Sequence, residues 1–291
     1  MDQRPKTMNA EEWGLLILLS VLWGGAFFFV GVAVKELPPL TIVLARVAMA
    51  AAMLLPLFWA FGHRLPKTFA GWTPFFVMGL LNNVFPFSLL FAGQTIVTVG
   101  LASIINAMTP LFTVLVMAGF NEEKLTASRI TGVLLGVAGV AILQGFDGSF
   151  DPEQTLGIAL CLGGALSYGF AALWGRRYLG GVAPIKSATC QLICSSMVMV
   201  VVVALVDQPW TLSMPGQATW LSLIGLALFG TAIAYIVFFR ILVTAGASNV
   251  NLVTLLIPVT ALILANLYLD EPIRLRDVAG ALTIGLGLLF I

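Results

Sequence analysis

PLFTVLVMAGFNEEKLTASRITGVLLGVAGVAIL, residues 110–143, and PVTALILANLYLDEPIRLRDVAGALTIGLGLLFI, residues 258–291, follow one plan twice. They align without gaps at an offset of 148, so that Pro110 meets Pro258, Glu123 meets Glu271, Gly132 meets Gly280 and Gly139 meets Gly287. Apolar segments can match glycines by composition alone, so the ordered series of proline, glutamate and two glycines carries the inference. Further upstream the offset is 146, pairing Gly79 with Gly225, Thr98 with Thr244 and Gly100 with Gly246. In the first helices it is 145, pairing Pro39 with Pro184 and Trp23 with Tyr168. The chain therefore divides into two related halves, residues 1–146 and 147–291.

Composition says what those halves are made of. Hydrophobic residues make up 60% of the chain and charged residues 9%, against roughly a quarter charged in soluble domains. About 20 consecutive apolar residues span a bilayer as a helix. Runs of that kind are predicted at 13–34, 39–61, 71–92, 98–119 and 127–145, then at 155–175, 183–206, 217–239, 246–269 and 275–291. Turn and cap residues separate them, among them Pro38-Pro39, Asn121 to Lys124, Asp147-Gly148, Gly180-Gly181 and Asp270-Glu271-Pro272. The expected fold is an all-α integral membrane protein of ten transmembrane helices. The run from Trp13 to Val34 is too long for a signal-peptide core and reads as a retained first helix.

Five is an odd number, so the second half must enter the membrane upside down relative to the first. Lysine and arginine collect on the side of the N-terminus, at Arg4, Lys6, Arg64, Lys67, Lys124, Arg129, Arg176, Arg177, Lys186 and Arg240. Only Lys35, Arg274 and Arg276 fall on the other side. The bias places both termini in the cytoplasm. Inverted repeats of this kind are a hallmark of secondary transporters, where two equivalent halves supply inward-open and outward-open states. Channels can also be built this way.

Pro110 and Pro258 are predicted near the middle of helices four and nine, where proline endangers the hydrogen bonds of the Asn106 and Thr254 carbonyls. Matched breaks of this type point to a substrate site, or mark packing kinks. Buried amides are a second pointer: Asn82 and Asn83 in helix three, Asn106 in helix four, and Asn249 and Asn251 with Thr254 in helix nine. Each fits a solute contact or an interhelical hydrogen bond. In the repeat register Asn82 and Asn83 meet Leu228 and Phe229, which would make one cavity wall polar and the opposite wall apolar. Trp23, Tyr168 and Tyr235 lie deep enough to line a cavity. Arg46, matched by Gln191, is the one basic residue well inside a span, and intramembrane charges are functional hypotheses by default. It could bind a carboxylate, hold backbone carbonyls or snorkel outward, and a structural or gating role is favoured. Gly132 with Gly136 and Ala281 with Gly285 fit close helix packing, so helices five and ten read as scaffold.

What the sequence omits narrows the chemistry. No predicted span holds an Asp or Glu near its middle, and the single histidine, His63, falls in a loop. A buried proton relay needs such groups, so facilitated transport or exchange is expected. Phosphorylated solutes would want several buried basic residues, and neutral or zwitterionic solutes fit better. Cys161, Cys190 and Cys194 have no metal spacing. No phosphate-binding loop or catalytic motif is present, so no enzyme, metal or cofactor is expected. The formal charge of +1 gives no reason to expect nucleic acid.

The chain resembles the drug/metabolite transporter superfamily, specifically its ten-helix EamA-type members, over essentially its whole length. The resemblance rests on Leu22-Trp23-Gly24-Gly25, on Leu44-Ala45-Arg46-Val47, and on the doubled pattern of Pro110 to Glu123 and Pro258 to Glu271 with its glycine-rich helices. It implies an exporter of small metabolites in the bacterial inner membrane, with a central cavity between helices one, three, four, six, eight and nine. Within the family the chain looks most like the YddG-type exporters of aromatic and other neutral amino acids.

Overall fold

The computed structural model describes residues 8–145, 151–245, 249–250 and 252–291. The break at Asp147-Gly148, the boundary between the two halves, Gly246 and Asn251 lie outside the described residues.

Among the described residues ten helical rods follow one another: α1 (Ala10–Ala33), α2 (Pro39–Ala60), α3 (Phe69–Gly93), α4 (Val99–Gly119), α5 (Ala127–Gln144), α6 (Pro152–Tyr178), α7 (Pro184–Val206), α8 (Gln217–Leu242), α9 (Val253–Leu269) and α10 (Leu275–Leu288). The first eight are long and apolar enough to cross a bilayer, and α9 is a shorter apolar helix. Their starts follow local chemistry. Asn9 and Glu12 cap α1 reciprocally, each side chain accepting the other's backbone N–H at 2.9 Å. Pro39, Pro152 and Pro184 occupy the first turn of α2, α6 and α7, where the missing N–H costs nothing. Thr68, Thr98 and Thr126 cap α3, α4 and α5 through their hydroxyls.

Four of the rods that surround the centre, α3, α4, α8 and α9, are irregular. A π-helical turn interrupts α3 at Leu80–Val84 and another interrupts α8 at Leu228–Ile233. The α4 rod breaks at Ala107 and Met108, and Pro110 opens its second segment, Thr109–Gly119, rather than sitting in a continuous helix. The Asn106 carbonyl, left over at that break, accepts the Thr109 hydroxyl at 2.7 Å. In α9, Pro258 lies inside Val253–Leu269, which follows a turn at Leu252, with helical backbone at Asn249 and Val250 before it. Proline removes a backbone N–H from each rod, beside the break in α4 and within the helix in α9.

Packing is symmetric under exchange of each helix with the one five places later. α5 packs on α10 and α2 on α7; the α1–α9 pair is mirrored by α6–α4, α1–α8 by α6–α3, and α2–α8 by α7–α3. Individual glycines show the same relation. A β-carbon placed on Gly24 of α1 would fall 2.6 Å from Cβ of Thr260 in α9. One placed on Gly169 of α6 would fall 3.2 Å from the Phe112 backbone in α4. Gly24 and Gly169, and Phe112 and Thr260, are the positions that sequence offsets of 145 and 148 equate.

The α5–α10 crossing makes the inversion explicit. Gly132 faces the Gly287 carbonyl at 2.6 Å and Gly139 faces the Gly280 carbonyl at 3.0 Å, measured from a β-carbon on the first residue of each pair. Equivalent helices thus run antiparallel, as an in-plane two-fold axis requires. Of the pairs with four-residue spacing, Gly132 and Gly136 both stand at the crossing, since a β-carbon on Gly287 would fall 3.2 Å from the Gly136 nitrogen; Gly136 also meets Leu111 and Met108 of α4, whereas Gly285 meets only Leu255, at 3.6 Å.

Polar staples close the side of the molecule opposite the N-terminus. The backbone N–H and the hydroxyl of Thr41, at the start of α2, donate to Asp207 at the end of α7 (2.8 and 2.7 Å). Glu36, between α1 and α2, accepts the Gly216 N–H and the Thr219 hydroxyl at the start of α8, both at 2.7 Å. The Thr219 hydroxyl, and after it the Gly216 N–H, hold the Glu36 carboxyl below its ordinary pKa. A group depressed in the folded state stabilises fully above its unfolded pKa, about 4.3 for Glu, and that contribution fades as pH falls through the folded value. The melting temperature of the purified protein should therefore hold on acidification to about the ordinary carboxylate range and decline below it. Glu36→Gln should be less stable at neutral pH and less acid-sensitive; parallel curves for the two proteins would refute this account.

Candidate functional site

A cavity of about 390 Å³ lies at the centre of the bundle, between α1, α2, α3, α4, α6, α7, α8 and α9. Its size falls within the usual range for small-molecule sites, about 300–1,000 Å³. Among the described residues no lining residue comes from α5 or α10. Those two helices close on each other at the edge, as the sequence suggests for scaffold. Beyond the six helices expected from the resemblance, α2 contributes Arg46 and α7 contributes Ser187 and Gln191.

Several of the residues singled out from the sequence meet here. Trp23, Arg46, Asn82, Asn106, Tyr168, Tyr235 and Thr254 all line the cavity. The Asn82 amide nitrogen, on the π-helical turn of α3, donates to the Gln191 side-chain oxygen at 3.1 Å, and Tyr235 of α8 lines the same cavity. One asparagine thus ties α3 to α7 across the two halves. The side-chain oxygen of Asn106 is buried and has no hydrogen-bond partner. An aromatic group forms the apolar part: the rings of Trp23 and Phe238 lie 5.6 Å apart, and those of Phe238 and Phe239 meet edge to face at 5.3 Å.

Arg46 enters from α2 and reaches the other half of the chain. Its Nε donates to the Thr231 hydroxyl at 3.0 Å and its Nη2 to the Gly230 carbonyl at 3.3 Å, both on the π-helical turn of α8. The guanidinium lies 3.8 Å above the centre of the Phe87 ring and 5.8 Å from that of Phe91, a cation–π arrangement. Among the described residues no carboxylate lies within ion-pair distance of it. Holding a backbone carbonyl, one of the roles the sequence leaves open, is therefore part of what Arg46 does.

Other expected positions lie elsewhere. Asn83 is fully buried between α3 and α7, where its amide donates to the Ser195 hydroxyl at 3.0 Å. Asn249 donates to the Ala245 carbonyl at 2.9 Å and is not part of the lining. Pro110 and Pro258 shape the backbone and do not line the cavity. Phe229, expected as an apolar wall, is 44% exposed on the outer surface of the bundle. A constant offset cannot be carried through two π-helical turns of different length, because each added residue rotates the following side chains by about 100°. The apolar wall is supplied instead by Phe238 and Phe239, about two and a half turns further along α8.

Gln94, Thr109, Phe87 and Phe91 line the cavity without having been singled out. The sequence places Gln94 in a loop after a helix ending at 92, whereas the helix runs to Gly93 and Gln94 caps it. The phenylalanines carried no distinguishing signal among twenty in the chain.

A model of the EamA-like transporter family matches this chain twice, over residues 12–144 and 155–291. The chain belongs to the EamA-like transporter family. Like other EamA-like proteins it is a membrane transporter. An uncharacterized transporter of Archaeoglobus fulgidus is 26% identical over 96% of this chain and 97% of its own length. The uncharacterized transporter YvbV of Bacillus subtilis is 28% identical, over 98% and 91%. The uncharacterized inner membrane transporter YedA of Escherichia coli is 28% identical, over 76% and 71%. A solved crystal structure superposes with a TM-score of 0.66 over 97% of this chain and 96% of that one, at 18% identity, a likeness of fold.

Proposed function

We propose that this EamA-like transporter is a secondary carrier that exports small neutral or zwitterionic metabolites, amino acids foremost, by alternating access. The observation that supports it is the central cavity, lined about equally by two halves in inverse orientation. Among the described residues its lining contains no Asp, Glu, His or Lys, which favours exchange or facilitated export over coupling through a buried carboxylate. An aromatic patch beside paired amides suits a solute with an apolar side chain and a polar head, the requirement of the YddG-type exporters. The halves are residues 1–146 and 147–291, both termini face the cytoplasm, and the membrane is the bacterial inner membrane.

Links across the halves exist at both ends, as alternating access needs. On the side of the N-terminus, Glu122 and Glu123 meet Arg177 and Arg176 at 2.6 and 3.1 Å, and Arg240 meets Glu11 at 2.6 Å. On the other side, Glu271 accepts the Val99 and Gly100 N–H groups at the start of α4. Exposed ion pairs are worth about 0.2–1 kcal/mol each, weak enough to open within a transport cycle.

Counterflow of radiolabelled amino acids in proteoliposomes tests the reading directly. A carrier accelerates uptake when unlabelled solute is trapped inside, and absence of this effect across a broad amino-acid panel refutes it. Asn82→Leu should reduce counterflow about tenfold at equal protein abundance, equivalent to about 1.4 kcal/mol of barrier. Asn106→Leu should act in the same direction. Unchanged flux in both would assign those amides to structure alone.

A further inference from the structure

We infer that Arg46 and Gln94 form a carboxylate subsite in this cavity, so that a transported solute must carry a carboxylate and need not carry an ammonium group. The inference rests on the carrier reading above and names the head group that the carrier recognises.

Two independent observations converge. The first is charge. Arg46 is 8% exposed and, among the described residues, is the only formally charged side chain in the lining. Its bonds to the protein run from Nε and Nη2 to a neutral hydroxyl and a neutral carbonyl. A guanidinium carries five N–H donors, and holding one at bilayer depth without an anion is costly. A carboxylate on the guest offsets that cost and matches the planar donor edge. The second is Gln94, 7% exposed, whose side-chain nitrogen and oxygen are both buried without a hydrogen-bond partner. Buried amides with neither atom satisfied are rare and call for an explanation.

Helical spacing brings the two residues to one place. Phe87, Phe91 and Gln94 follow at i, i+4 and i+7 along α3 and share a face. The guanidinium lies on the ring of the first and near the ring of the second. A carboxylate seated there meets the guanidinium and the Gln94 N–H₂ together, over apolar rings. An ammonium group meets no anion among the described residues of the lining, so it adds nothing to recognition.

The test uses three probes of matched ring: 3-phenylpropionate, phenylalanine and phenethylamine, with sodium chloride as the inorganic-anion arm. Thermal-shift titration of the purified full chain should show stabilisation by the first two and none by phenethylamine or chloride, since a ligand stabilises the state it binds. Gln94→Leu should weaken carboxylate binding about tenfold while the unliganded protein melts no lower. Gln94→Glu, which preserves shape and offers Arg46 an internal anion, should abolish it. Equal stabilisation by phenethylamine or chloride, no stabilisation by either carboxylate, or full carboxylate affinity in Gln94→Glu would overturn the subsite. Carboxylate binding without counterflow would overturn the carrier reading and leave the subsite standing.

Discussion

Gly132→Ala or Gly287→Ala is expected to lower the melting temperature of the purified protein by several degrees, and Gly132→Leu to prevent accumulation of folded protein. A β-carbon on either residue falls 2.6 Å from the backbone carbonyl oxygen of the other. No rotamer change can relieve that contact, because the obstacle is main chain. Overpacking typically costs about 1–3 kcal/mol, and relief requires α5 and α10 to move apart along their whole crossing. Within lipid, close packing holds helices together in place of the hydrophobic effect, so lost approach is poorly compensated. Combining Gly132→Ala with Gly287→Ala should cost less than the sum, since both act through one separation. Gly14→Ala, where nothing lies within 4 Å of the new carbon, is the control and should be neutral or slightly stabilising. Equal melting of Gly132→Ala and Gly14→Ala would mean that the crossing is not load-limited by these glycines.

Arg46→Met is expected to abolish transport and yet leave the protein as stable as before, or more so. In the folded state the guanidinium is desolvated against rings and neutral oxygens, a burial that costs several kcal/mol for an ion lacking a counter-charge. Removing it leaves the Gly230 carbonyl short of one donor, a loss of about 1–3 kcal/mol. Thr231 keeps its bond to the Leu226 carbonyl at 3.2 Å. The charge cost exceeds the bond lost, so stability should not fall. Transport should fall by at least about a hundredfold, because the variant loses the only cation among the described residues of the cavity, and two decades correspond to about 2.7 kcal/mol. Melting curves and counterflow on the same preparation decide the matter. A variant that unfolds readily would make Arg46 a structural tether, and one that transports normally would remove it from the solute's path.

The duplication was readable because glycines and prolines are constrained by backbone geometry. Gly132, Gly139, Gly280 and Gly287 stand where two main chains touch, so no side chain fits, and their spacing survives in both copies. Pro110 and Pro258 likewise announced irregular backbone in α4 and α9. Arg46, Asn82 and Asn106 were legible as site candidates because polar groups at bilayer depth need a partner or a wet cavity. Gln94 was not, since a glutamine at the end of an apolar run looks like any interfacial residue until the helix end is located. Phe229 was misplaced for a different reason: the π-helical turns of α3 and α8 differ in length, and no propensity in either sequence marks them.

By itself, then, the order of residues determined the membrane environment, the number of crossings and the inverse relation of the two halves, because each follows from hydropathy, parity and repeat spacing along the chain. Only the tertiary structure decided which polar side chains share a cavity, that Arg46 spans from one half to the other, and that Asn83 and Phe229 face away. Such choices depend on rotation about each helix axis, and a single extra residue in a turn is enough to change which neighbours a side chain meets.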